Sequence, residues 1–440
     1  MPKVLLIQPS QYSTTGAIVK QRKIYLPGLV FPLLAALAPR NWKVEVRLEV
    51  IEDIDFDTDA DLVGIGAMGH ALFRGLELAG KFKERGKTVF MGGYMASMVP
   101  DLALMVADSI VIGDGEISFL KLLSDFERNG KLNRRYDNPL GDLKGLPVPD
   151  YSILTDKSIG DMLPVQAGRG CPHSCTFCSI ACLYKGRYMV RPVDEVINDI
   201  ETIRNLGYKK FYLIDDNIVS NPGYLEELIR KIHPLKMRWS TQCTMNLAHN
   251  KSLLKKVAAS GCEILSLGIE SISQEGLDKL NKKWLRVDEH EALLKEFRKA
   301  GIMVSAEMII GTDSDTEESL KATFDFIKRT RIPLLRVYIL TPVPGTTLYD
   351  ELKNSGRLLH ENFEHYNSSE CVHDPEKISP ELLNSMYKWL NSKIFSYPGI
   401  LRRTLLNREF MRYPQKYLFA FGINLHYRSY VMRGDTPLIV

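Results

Sequence analysis

The sequence predicts an α/β protein of two domains in series: a doubly wound parallel sheet, then a partial barrel of six strand-helix units, with a mainly helical region after it. Three observations carry this. Short apolar runs alternate with amphipathic stretches from residue 3 to about 128, the alternation resumes with longer helices from 163, and the proline- and glycine-rich passage "NPLGDLKGLPVPDY" lies between them. A chain of 440 residues also exceeds what one hydrophobic core usually organises. The expected boundaries are 1–130 for the first domain, 131–160 for the linker, 161–345 for the barrel and 346–440 for the C-terminal region.

Composition narrows the class. Charged residues make up 25%, hydrophobic ones 45%, and the net charge is +4, which argues against a nucleic-acid coat or an acidic tail. Seven cysteines, three of them bunched, do not form a secreted disulfide framework; a reducing, cytoplasmic compartment with thiolates available for metal is expected. "MPKVLLIQPS" is too short an apolar run for a signal peptide or membrane span and reads as a buried first strand.

In the first domain "KVLLIQP", "KVEVRLEV", "DLVGIGAMG", "KTVFMGG" and "DSIVIGDGE" read as five strands between helices, the pattern of a parallel sheet covered on both faces. Glycines stand where three of these strands end, Gly66 and Gly69, Gly92 and Gly93, Gly113 and Gly115. A ligand sits at those carboxyl ends in open parallel sheets, and glycine lets backbone amides approach it; tight turns alone would also explain them. In the second domain the expected strands are 163–168, 210–215, 237–244, 263–269, 303–311 and 335–342. "VDEVINDIETIRNLG" and "SLLKKVAASG" read as intervening helices closing on glycine. Ser379 and Pro380 mark a helix start. Beyond 400 the chain is basic and aromatic, which suits packing over the barrel mouth, a membrane surface through snorkelling arginines, or nucleic acid, the last discouraged by the modest charge elsewhere.

"GRGCPHSCTFCSI" places Cys171, Cys175 and Cys178 on the loop after the first barrel strand. A structural zinc site wants four ligands, and His173 would have to supply the fourth from inside the loop. An iron-sulfur cube held by three thiolates leaves one iron open to an exogenous ligand, whereas electron-transfer clusters are normally closed by four. Cys182 stands close enough in sequence to close the cube and is read as a free thiol instead.

The CxxxCxxC loop after the first strand of a six-unit barrel, with Phe177 before the third cysteine, resembles the radical S-adenosylmethionine superfamily. The resemblance implies a [4Fe-4S] cluster on the three cysteines whose open iron chelates S-adenosylmethionine and yields a 5′-deoxyadenosyl radical. It further implies that Asp216 of "LIDDN" lies near the methionine end, that Glu270 and, more weakly, Ser271 of "LGIES" contact ribose or the amino group, and that the backbone around Ile309 and Ile310 packs on adenine. Asp216 and Glu270 could instead cap helices, and Ile309 and Ile310 could be core alone.

The first domain, with "GIGAMGHALFRGLELAGKFKE", "VFMGGYMAS" and "VIGDGE", resembles the flavodoxin-like cobalamin-binding domain of cobalamin-dependent radical S-adenosylmethionine enzymes, the group of magnesium-protoporphyrin ester cyclases and hopanoid C-methylases. On this likeness Gly66, Met68, Gly69, Gly92, Gly93, Gly113, Gly115 and Glu116 contact cobalamin. There is no DxHxxG, Met95 stands where the family often has histidine, and His70 is either a weak cobalt-ligand candidate or a cap or surface residue. The activity implied is C-methylation of an unactivated carbon by the adenosyl radical and methylcobalamin, with corrin facing cluster; cyclisation or oxidative rearrangement without methyl transfer is the alternative. A small-molecule or lipid-like substrate and a reducing partner such as flavodoxin or ferredoxin are implied as well. Two rivals are a methylthiotransferase, disfavoured because no cysteine precedes Cys171 and the end looks helical, and a non-catalytic cobalamin or iron-sulfur sensor.

Overall fold

The computed structural model describes residues 1–137 and 141–435, so the first three residues of "NPLGDLKGLPVPDY" lie outside the described residues. By compactness the described chain divides into two units, Met1–Val165 with Asp194–Tyr208, and Gln166–Val193 with 209–435.

Six parallel strands build the first sheet: β1 (Lys3–Gln8), β2 (Lys43–Leu48), β3 (Leu62–Gly66), β4 (Thr88–Gly92), β5 (Ser109–Ile112) and β6 (Arg135–Asp137). Their order is β2-β1-β3-β4-β5-β6, which reverses direction between β1 and β3 and opens a crevice at the carboxyl ends there. The first five strands match the apolar runs. The sixth falls in the passage expected to be linker, because three residues are too few to show a period. Val4, Leu6, Val63, Ile65, Val89, Met91 and Ile110 are buried together with Phe82 and Phe119 of the covering helices. At the carboxyl ends of β1 and β2, Arg74 of the helix Ala71–Glu84 reaches Glu49 through Nε at 2.9 Å. Glu49 also accepts the Ser10 N–H at 2.9 Å, and Arg74 pairs with Glu77, to which the Tyr12 hydroxyl is bonded. Arg74 and Glu49 are both buried, so this pair fixes the loops after two strands at once.

The second sheet contains β7 (Met162–Gln166), β10 (Lys210–Ile214), β11 (Arg238–Cys243), β12 (Cys262–Glu270), β13 (Met303–Ile310) and β14 (Leu334–Ile339) in the order β14-β13-β12-β11-β10-β7. All six were expected, with ends shifted by a few residues at most. Between β7 and β10 a small antiparallel hairpin, β8 (Gly168–Gly170) with β9 (Tyr188–Val190), has no counterpart in the sequence reading. Strands β10 to β14 are parallel. Their helices begin at real caps: Asn221 accepts from Tyr224 N–H, Ser273 from Gly276, Thr316 from Ser319 in a capping box. Gly207 and Gly261 end helices with φ of +89° and +102°.

Burial alternates along these strands. In β13 Val304, Ala306, Met308 and Ile310 are buried against helices, while Ser305, Glu307 and Ile309 on the concave face are only partly so. In β14 Arg336 and Tyr338 share that concave face, and Arg336 Nε meets Glu307 at 3.1 Å across the register pair.

Ser379 caps the helix Pro380–Ile394 as expected, accepting from Leu382 N–H. Of the three readings of the basic, aromatic tail, packing over the barrel mouth is not where its last helix lies. Its last helix, Pro414–Val431, is held by Lys416 Nζ to the Gly301 carbonyl and by Asn424 Nδ2 to the Pro333 carbonyl, both at 2.9 Å. Gly301 and Pro333 precede β13 and β14, so the helix packs at the amino ends of those strands. Tyr417, Tyr427 and Tyr430 are buried there, and so is Arg403, which donates to Asn424 Oδ1 at 2.6 Å. No described helix is long and apolar enough to cross a membrane.

Breaking the Arg74–Glu49 pair leaves an uncompensated buried carboxylate. Arg74→Met is expected to lower stability by about 3–5 kcal/mol, measured as the urea midpoint of the first unit's unfolding, with Glu49→Gln/Arg74→Met milder than Arg74→Met alone.

Candidate active site

The three thiols sit on residues 171–178, which leave the hairpin strand β8 and lead into the short helix Ser179–Tyr184. Gly170 opens the loop at φ +86°, where a Cβ would stand 2.1 Å from the carbonyl oxygen of Arg187, just before the facing strand, so no side chain fits. Three consecutive side chains at the end of β10 hold this hairpin. Asp215 accepts from the Tyr188 hydroxyl at 2.9 Å, Asp216 accepts from Gly170 N–H at 2.6 Å, and Asn217 Nδ2 lies 3.8 Å from Cys171 Sγ. Asp216 is therefore no helix cap: Asn221 fills that role. Burial pushes the Asp215 carboxyl up to about 7, against the Tyr188 and Asn217 hydrogen bonds.

At the end of β12, Glu270 adopts φ +60°, a left-handed conformation uncommon for a side chain of its size, where the pairing with β13 slips a register. Its carboxylate is buried and accepts from Lys282 Nζ at 2.6 Å, while Ser273 caps the next helix, so the capping alternative fails for Glu270 as well. Burial opposes the Lys282 cation, but Glu270 and the Cys175 thiol outweigh it and raise its pKa. Ser271 is buried and accepts from Ser273 N–H at 3.0 Å. On β13 Ile310 is core and its carbonyl accepts Leu340 N–H at 2.8 Å, whereas Ile309 is half-buried on the concave face. The turn that follows is braced by Asp315, which takes the N–H groups of Gly311 and Thr312, and by His373, whose Nε2 is 2.9 Å from the Gly311 carbonyl.

Burial raises the pKa of all three loop thiols, Cys175 to about 12. Thiolates at these positions thus need cationic partners, which a bound metal centre supplies. Among the described residues no three His, Cys, Asp or Glu side chains converge on one ion position. His173 is stacked on Trp284 with ring centroids 4.2 Å apart. The Cys182 thiol is directed at the Gly345 carbonyl oxygen, 2.8 Å away. Three thiols with both neighbours otherwise engaged fit a three-thiolate cluster. Phe177 lies half-buried between the second and third of them.

In the first unit, Gly66, Gly69, Gly92, Gly93, Gly113 and Gly115 stand at the carboxyl ends of β3, β4 and β5 with Met68 and Glu116 beside them. Gly93 has φ +103° and a Cβ there would lie 2.3 Å from the Ala67 carbonyl oxygen, so this close crossing demands glycine. Ser97 joins two of the turns, donating to the Gly93 carbonyl and accepting from Gly113 N–H, each at 3.0 Å. Met68 is 61% exposed beside them. Met95 is core, and His70 packs on Phe73 at 5.5 Å without capping the helix through its side chain.

Sequence reasoning passed over Asp215, Asn217, Tyr188, Ser97, Asn281, Lys282 and Trp284. Only the unbroken polar triplet after β10 offered a local signal.

A family model described as the Radical SAM superfamily matches residues 165–327. The bacteriochlorophyllide d C-12(1)-methyltransferase of Chlorobaculum tepidum is 29% identical over 91% of this chain and 89% of its own length. Among solved structures, the radical S-adenosylmethionine methyltransferase TsrM of Kitasatospora setae, with cobalamin and a [4Fe-4S] cluster bound, is similar at a TM-score of 0.65 and 17% identity, over 81% of this chain and 75% of that one. The cobalamin-dependent radical enzyme OxsB, with aqua-cobalamin and S-adenosylmethionine bound, is similar at a TM-score of 0.69 and 13% identity, over 97% and 72%. At these identities the structural likenesses establish the fold.

Cys171→Ala, Cys175→Ala or Cys178→Ala is expected to abolish iron retention after anaerobic reconstitution, whereas Cys182→Ser keeps about four irons per chain by colorimetric iron and sulfide assay. Asp215 holds a proton in the folded state over a range in which the unfolded chain has lost it. Stability is therefore expected to fall as pH rises from about 4 to about 7 and then level off, and Asp215→Asn to flatten that decline in urea titrations.

Proposed function

We propose that this chain, whose residues 165–327 form a radical SAM domain, is a cobalamin-dependent radical S-adenosylmethionine C-methyltransferase acting on an unactivated carbon of a small molecule. The single observation that carries the reading is the loop of three and only three disposed thiols at the carboxyl end of a parallel sheet, with the nearest fourth thiol turned onto a backbone carbonyl. When bound, the cofactors would supply a 5′-deoxyadenosyl radical for hydrogen abstraction and a cobalt-held methyl group for transfer.

The chain's own residues supply placement. Cys171, Cys175 and Cys178 hold the cluster; Asp216, by fixing Gly170, sets where the first of them stands. Glu270, with Ser271 beside it, is aimed at the ribose or amino group, its carboxylate oriented by Lys282. The backbone at Ile309 and Ile310, with its following turn braced by Asp315 and His373, offers the flat wall for adenine. The strand-end glycines of the first unit, with Met68 and Glu116, would take cobalamin.

Methylation is favoured over cyclisation or rearrangement because the similar Chlorobaculum protein is a methyltransferase along nearly its full length. Its tetrapyrrole substrate makes a bacteriochlorophyllide the first compound to try. A flavodoxin or ferredoxin is the expected electron donor. Exposed Leu418 and Phe419 on the last helix, with Arg408 and Arg412 exposed in the segment that precedes it, support peripheral contact with anionic lipid, which flotation with and without Leu418→Ser/Phe419→Ser checks.

Anaerobically reconstituted protein with dithionite, cobalamin and S-adenosylmethionine is expected to release 5′-deoxyadenosine, with S-adenosylhomocysteine accumulating alongside it when bacteriochlorophyllide d or a cell extract is added. Glu270→Gln should weaken S-adenosylmethionine binding by about ten-fold, the scale of one charged hydrogen bond. Zinc in place of iron in oxygen-free preparations would end the reading.

A further inference from the structure

We propose that Leu280–Trp284 is a clamp that keeps the cysteine loop in its metal-holding shape, with Asn281 and Trp284 as positioning residues. This rests on the reading that the three thiols bind a cluster.

The loop alternates cysteines with residues that have no metal to bind, and the clamp grips the latter. The Leu280 carbonyl accepts from Thr176 N–H at 3.3 Å. Asn281 Nδ2 donates to the Ser174 carbonyl at 2.8 Å and lies 3.0 Å from Ser174 Oγ. Trp284 stacks on His173 with an interplanar angle of 17°. Residues 173, 174 and 176 are thus all held by one five-residue segment more than a hundred positions away in sequence.

The segment is itself braced. Asn281 has φ +55°, a conformation asparagine tolerates better than most residues. Lys282 ties it to Glu270 at 2.6 Å and to the Gly268 carbonyl at 3.3 Å, and its ammonium lies 5.3 Å from the Trp284 ring centre. Ordering an eight-residue loop costs conformational entropy. A loop whose intervening residues are already fixed does not charge that cost to metal binding, and a stacked imidazole cannot swing round to act as a fourth ligand.

The test uses the full chain. Asn281→Gly keeps the left-handed backbone and deletes only the side chain; Trp284→Leu deletes the stack and Trp284→Phe retains most of it. Reconstituted proteins are mixed with a ferrous chelator and iron release is followed, while amide hydrogen exchange of 171–178 is measured in the metal-free proteins. Asn281→Gly and Trp284→Leu are expected to release iron about five-fold faster, the scale of one hydrogen bond or aromatic contact, and to exchange faster across the loop. Trp284→Phe should recover toward wild type, and a His173→Ala/Trp284→Leu double cycle should show coupling. Melting of the metal-free proteins should hardly change, which separates a clamp from a general contribution to stability.

Wild-type release and exchange in both Asn281→Gly and Trp284→Leu would overturn the clamp, as would faster release that merely tracks a lowered melting temperature. Failure of the wild type itself to retain iron would instead overturn the cluster reading.

Discussion

The end of β10 is the anchor on which the candidate site depends. Asp215, Asp216 and Asn217 follow one another, and each is spent on a different part of the hairpin that carries the cysteines: the Tyr188 hydroxyl, the Gly170 amide and the Cys171 sulfur. A strand inside a parallel sheet is among the most rigid parts of a fold, so tethering a mobile loop to its last residues transfers that rigidity outward. The tether is polar because a loop at a ligand mouth has little apolar surface to bury. Its cost is visible in the raised Asp215 carboxyl.

Buried ion pairs recur where strands end. Arg74–Glu49 in the first unit and Lys282–Glu270 in the second both join a helix or loop to a residue at the end of a strand. Such pairs contribute little net stability compared with apolar packing, but breaking one is expensive, so they select one arrangement of loops over its neighbours. In the second unit the pair also offsets the left-handed backbone at Glu270, a strained residue kept in place by a partner that would otherwise be an unpaired buried cation.

Much of this was legible in the sequence. The strands of the first sheet announced themselves as apolar runs, since burial on both faces leaves few polar interruptions, and the cysteine spacing and strand-end glycines pointed to both candidate sites. The hairpin β8–β9 and strand β6 escaped because three-residue strands carry no periodicity. Asp216 was legible as a polar residue at a strand end, yet its partner was not, since nothing local links it to Gly170. Asn281 and Trp284 were invisible for the same reason: their contacts span more than a hundred residues. The tail shows the opposite failure. Its basic and aromatic composition was plain, but composition does not say which end of a sheet a helix covers, and the Gly301 and Pro333 carbonyls settled that.

The Glu307–Arg336 pair spans two neighbouring strands on the face turned away from their helices. A carboxylate held in this way keeps its direction only while the guanidinium stays in place, so replacing either residue disturbs both strands together.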